Sequence, residues 1–152
     1  MITRPTTDVL IGDCCRELME AILPGLTDET LKLRLVMAET VLRNAAVRAA
    51  HEIAWMREET AALLAYADQV AARHGSEPVR AALAAAQADP DGSLHLADVT
   101  ERYERAGLAF AAALAAAQEA GAADLVAQAR ELLRGRIATE KQIMATYQVV
   151  GR

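Results

Sequence analysis

Apolar residues recur along this chain at spacings of three and four, and nowhere alternate as a half-buried strand would. The pattern predicts an all-α protein, an antiparallel bundle of five or six helices forming one domain over residues 1–152. Thr6 and Thr7 are good N-caps, and Asp8 suits the positive end of a helix dipole. Leu10, Cys14, Leu18 and Ile22 follow at four-residue spacing, with Ile11, Cys15 and Met19 beside them, as a wide core-facing stripe. Pro24-Gly25 stops this helix.

Thr27 and Asp28 open the next segment, and neither Gly nor Pro interrupts it before Gly75. One straight helix over that span would reach roughly 70 Å at 1.5 Å per residue. A compact domain of this size has a radius of gyration of about 15 Å. A break or kink at residues 52–58 is therefore expected. Before it lies a core stripe of Leu35, Ala38, Leu42, Ala45 and Ala49; after it, one of Met56, Leu63, Ala67 and Val70. His74-Gly75 ends the second piece, and Ser76 caps a short helix over 77–88. Asp89-Pro90-Asp91-Gly92-Ser93 is a strong turn signal and the expected flexible loop. A helix from Ala97 or Asp98 to Gly121 carries Val99, Tyr103, Ala106, Phe110, Ala113 and Ala117, a coiled-coil-like seam. Gly107 inside it costs about 1 kcal/mol relative to Ala, and a close helix contact would explain it. The closing helix, 122–148, presents Val126, Ala129, Leu133, Ile137, Met144 and Tyr147.

Composition sharpens this picture. Hydrophobic residues make up 53% of the chain but aromatics only 3%, so helices pack on Ala, Leu and Val at close range. The net charge of −5 argues against a nucleic-acid partner, which calls for a basic excess. No apolar run reaches the roughly 20 residues of a membrane span, and residues 1–8 lack a signal core. Cys14 and Cys15 are adjacent and point about 100° apart on a helix, so no mutual disulfide is expected. Both read as core-filling thiols of a cytoplasmic protein.

Candidate chemistry is thin. His51, His74 and His95 each lack a Glu three residues upstream, so the di-metal pattern of helical bundles is missing. His51-Glu52 has no second His at zinc-helix spacing, and the glycines form neither a Walker loop nor a dinucleotide fingerprint. The chain is expected to have no catalytic, metal or cofactor site and no cofactor. Glu39–Arg43, Glu101–Arg105 and Arg48–Glu52 have i,i+4 spacing and read as solvated helix faces. Arg130, Arg134 and Lys141, with Arg136 nearby, read as a solvent face, with phosphate steering as the sharper alternative. One stripe is less bland. Asn44, Arg48, His51 and Trp55 share a side of the second helix, and Trp and Arg are enriched at interface hot spots. These four are the candidate partner interface; the competing reading has Trp55 closing the bundle core.

The stretch from Arg4-Pro5-Thr6-Thr7 through Ala21-Ile22-Leu23-Pro24 resembles the opening of a small family of helical bacterial proteins of unknown function. The segment from Leu31 to Leu42 resembles that family's second helix, and Leu125 to Met144 its closing helix. The chain departs from the family at Ala145-Thr146-Tyr147-Gln148, where an Asn-Pro-Arg-Tyr-like ending is usual, and at Thr40, where Asn is common. Genes of the family tend to accompany aminoglycoside-phosphotransferase-like kinases and acyl-CoA-dehydrogenase-like enzymes. Some such kinases phosphorylate hydroxyacyl-CoA thioesters with the small protein as partner. The resemblance implies a non-catalytic accessory subunit that binds and stabilises or activates such a kinase. Two other readings stand beside it. One is a self-associating bundle built on the Ala-rich seam. The other is a small helical enzyme using a buried His or Glu, such as His51 or Glu140.

Overall fold

The structure, a computed structural model, describes residues 4–88 and 92–144. Among them are five α-helices and no strand: α1 (Thr7–Glu17), α2 (Glu29–His74), α3 (Glu77–Gln87), α4 (Leu96–Glu119) and α5 (Ala123–Met144). A π turn (Leu18–Ile22) and a 3-10 turn (Leu23–Gly25) follow α1. The chain divides into two compact units, residues 1–52 with 140–152, and residues 53–139. No described helix is long and apolar enough to cross a membrane.

Of the break or kink expected at 52–58, a break does not occur. α2 is one unbroken helix of 46 residues, and the division between units falls at 52/53 within it. None of the residues 52–58 is Gly or Pro, so nothing local removes a backbone donor or adds flexibility there. What changes at that point is the set of residues α2 packs against.

In the first unit, Thr6 caps α1 with extended backbone, and its hydroxyl donates to the Asp8 carboxylate, which lowers the Asp8 pKa. Pro24 and Gly25 end the first helical stretch as expected, through a 3-10 turn in which the Leu26 N–H donates to the Leu23 carbonyl at 3.2 Å. The Asp28 carboxylate then accepts the N–H groups of Thr30 (2.7 Å) and Leu31 (3.3 Å), satisfying two orphan donors at the start of α2. Of the described residues in this unit, only Cys15 and Glu39 are buried. The core stripe expected along Leu35, Ala38, Leu42, Ala45 and Ala49 is half-buried at best, with Ala38 and Ala49 exposed.

The second unit holds the hydrophobic core. Leu63, Leu64, Tyr66, Ala67 and Val70 of α2 pack with Val79, Leu83 and Ala86 of α3, with Ala106, Ala109, Phe110, Ala113 and Ala117 of α4, and with Leu125 and Ala129 of α5. Alanine is the common contact residue, so the backbones approach closely, and the buried aromatic pair of Tyr66 and Phe110 packs among them at a centroid distance of 5.2 Å. The seam expected on α4 is buried at every position except Tyr103, which is half-buried. On α5 the inward line is Leu125, Ala129 and the half-buried Leu132; Leu133, Ile137 and Met144 are exposed, and Tyr147 lies outside the described residues. Asp89, Pro90 and Asp91 of the expected loop also lie outside them.

Two glycines carry the turns. A Cβ at Gly75 would lie 2.2 Å from the Ala71 carbonyl oxygen, so only glycine lets the chain leave α2 there. Gly121 has φ +65°, and the Ala122 N–H donates to the Ala117 carbonyl at 3.0 Å, a Schellman-type end to α4. Gly107 faces open space, so the close contact expected to explain it is absent.

Candidate functional site

Features with chemical character among the described residues include the contact of Cys15 with Glu39 in the first unit, the open apolar side of α2, and a cavity in the second unit.

Cys15 and Glu39 meet where α1 lies against α2. The Cys15 thiol points at the Glu39 backbone carbonyl, with Sγ 3.8 Å from the oxygen. Burial first, and the Glu39 charge second, push its pKa above the ordinary thiol value. A thiol held protonated is a poor nucleophile, so Cys15 is a structural residue. Cys14, expected to fill the core beside it, is exposed instead, as is Leu10. In α1 and the π turn after it, Asp8, Ile11, Cys15, Leu18 and Met19 are buried or half-buried and the other residues up to Ile22 are exposed. Glu39 pairs with the exposed Arg43 guanidinium. A solvated face was expected for that pair, yet the Glu39 carboxylate is buried and Arg43 supplies its counter-charge.

The candidate interface residues are not all in one unit. Asn44, Arg48 and His51 belong to the first; Trp55 belongs to the second and is half-buried. Asn44 is half-buried, and His51 and Arg48 are exposed. Arg48 is joined to Glu52, whose carboxylate raises the guanidinium pKa above its ordinary value. Asn44, His51 and Trp55 each also engage other groups of the chain. The side of α2 that carries Asn44, Arg48 and His51 continues toward the N-terminus as Val41, Met37 and Leu33, which the sequence pattern did not single out. These three are 60%, 62% and 61% exposed. Val9, Leu10, Ile22 and Leu31 of the same unit are also about half open.

In the second unit, Tyr103 donates to the Glu59 carboxylate at 2.9 Å, and Arg136 lies 3.9 Å from the same carboxyl group and 5.7 Å from the Tyr103 ring centroid. Arg136 is thus part of a local cluster joining α2, α4 and α5, while Arg134 pairs with Glu131 on its own helix. The cavity, about 320 Å³, opens beside α2 and the first turns of α4. No group of three or more His, Cys, Asp or Glu among the described residues could hold a metal ion. His95 is the N-cap of α4, and His51 and Glu140 are both exposed, not buried as the helical-enzyme reading expected.

No family model, curated protein or solved structure matches this chain.

Proposed function

We propose that the chain is a non-catalytic accessory subunit that binds an aminoglycoside-phosphotransferase-like kinase, with its helices arranged as an antiparallel bundle. The observation that supports the reading is the run of Leu33, Met37 and Val41 on α2. Their side chains leave on the order of 300 Å² of apolar surface in water, a size of patch that is often functional. Arg48 and His51 continue that side of the helix as the polar rim usual at an interface. The kinase as occupant, and hydroxyacyl-CoA catabolism as its setting, come from the family resemblance of the α1 region, the start of α2 and α5.

The test is co-elution. An aminoglycoside-phosphotransferase-like kinase of the same organism is mixed with the chain and run on size exclusion. Wild type is expected to move into the kinase peak, and the double variant Met37→Asp, Val41→Asp to stay behind while keeping its helical circular dichroism. A chain that never shifts sinks the reading. So does a chain that pairs only with itself through this side of α2, which would favour the self-associating alternative.

A further inference from the structure

The two units differ in what holds them closed. In the second, Leu63, Tyr66, Val70, Val79, Phe110 and Leu125 are buried together from four helices. Side chains also tie those helices to one another: Tyr103 to Glu59 at 2.9 Å, Arg73 to Asp124 at 2.7 Å, and Gln87 to Asp68 at 3.3 Å. In the first unit, among the described residues, Cys15 is the buried apolar residue and Glu39 the buried charged one. The ion pairs Arg16–Asp13, Lys32–Glu29 and Arg48–Glu52 each lie within one helix, so they do not fasten one helix to another. The Cys15 thiol does reach from α1 to α2, but a thiol is a weak donor and its Sγ is 3.8 Å from the Glu39 carbonyl oxygen. Asn44 and His51 engage further groups of the chain.

The free energy of a local opening follows the apolar area that the opening newly exposes. Leu10, Leu31, Leu33, Met37 and Val41 of the first unit are already 47% to 62% exposed in the closed fold. Opening that unit therefore costs little further hydration of apolar surface, whereas opening the second unit puts a whole core in water. Opening also returns the Glu39 carboxylate to water and removes the cost of its desolvation. Helix α2 runs unbroken through the division at 52/53, yet a helix stripped of its tertiary contacts is only marginally stable by itself.

We propose that the fold has a built-in opening step: α1 and α2 as far as residue 52 open together as one cooperative piece while the second unit stays folded. The two helices open together because the contact of Cys15 with Glu39 is lost when either one leaves. The opening is a property of the chain alone. It does not rest on the proposed kinase contact, which lies on the part that opens.

The experiment is native-state hydrogen exchange of the full chain without any partner, near neutral pH, read by mass spectrometry on peptic peptides. After correction for intrinsic rates, amides of 7–17 and 29–52 are expected to exchange faster than those of 63–70 and 106–117 by about tenfold or more. Arg43→Ala strands the buried Glu39 carboxylate in the closed form and so favours opening. It is expected to speed exchange in α1 and in 29–52 alike and to leave the core rates unchanged. Arg43 is exposed and outside the hydrophobic core, so the variant keeps that core. Wild-type protection that differs by less than about tenfold between the two sets overturns the proposal. So does a core that accelerates in Arg43→Ala as much as the first unit, and so does a variant in which α1 exchanges no faster than in wild type.

Discussion

Tyr66 sits 1% exposed in the core of the second unit, and its hydroxyl has no hydrogen-bond partner. A buried hydroxyl that has lost water without gaining a partner costs about 1–3 kcal/mol. Tyr66→Phe removes that cost and keeps the ring against Phe110. The void left by one oxygen atom takes back a few tenths of a kcal/mol, at about 24 cal/mol per Å³. The expected net effect is a gain of about 1–2 kcal/mol, or a melting point raised by about 2–8 °C in a chain of this size. Thermal melts followed by far-UV circular dichroism measure it directly. The same variant has a pH signature. Burial raises the Tyr66 pKa above its ordinary value of 10. A group whose pKa is raised on folding gives stability that is fully present below the unfolded pKa and lost as pH rises through the folded one. Wild type should therefore lose stability above about pH 10 faster than Tyr66→Phe, and the gap between them should widen. A variant that melts below wild type would mean the hydroxyl is bonded, and the reasoning would fail.

Three more outcomes follow from the packing. Cys14 is exposed and Cys15 buried with a raised pKa, so one thiol should react fast with a disulfide reagent in the native protein and the second slowly unless denaturant is added; a fast phase surviving in Cys14→Ser would contradict this. Arg43→Ala strands the buried Glu39 carboxylate and should lower the melting point more than Arg134→Ala, whose partner Glu131 is exposed and whose pair is worth about 1 kcal/mol or less; equal losses would contradict the burial of Glu39. Phe110→Ala empties a core position and should cost about 3–5 kcal/mol. Trp55→Ala should cost clearly less, since Trp55 is half-buried, and equal losses would place Trp55 in the core.

The second unit was largely legible in the sequence because a four-three spacing on α4 fixes which side faces inward, whatever it packs against. Val99, Ala106, Phe110, Ala113 and Ala117 were read that way and are buried. Caps and stops were legible for the same local reason, at Thr6, Pro24-Gly25, Ser76 and Gly121. The first unit was not. Its helix α2 has apolar residues on more than one side, and spacing along the chain does not say which of them is covered. Leu33, Met37 and Val41 look no different in sequence from Leu35 and Leu42, yet they stand open. Glu39 with Arg43 reads as a surface pair at i,i+4, yet Glu39 is buried and its backbone carbonyl meets the Cys15 thiol, 24 residues away in the chain. The cavity was invisible because its lining residues Arg57 and Arg102 lie on different helices, and pattern along the chain carries no information about such pairs.

The claim that this chain works by binding a kinase through α2 is tested most directly by titrating it onto an immobilised aminoglycoside-phosphotransferase-like kinase of the same organism. Saturable binding by wild type is expected, with at least a tenfold weaker Kd, about 1.4 kcal/mol, for a folded Met37→Asp, Val41→Asp variant. No saturable binding, or equal affinities for the two proteins, would contradict it.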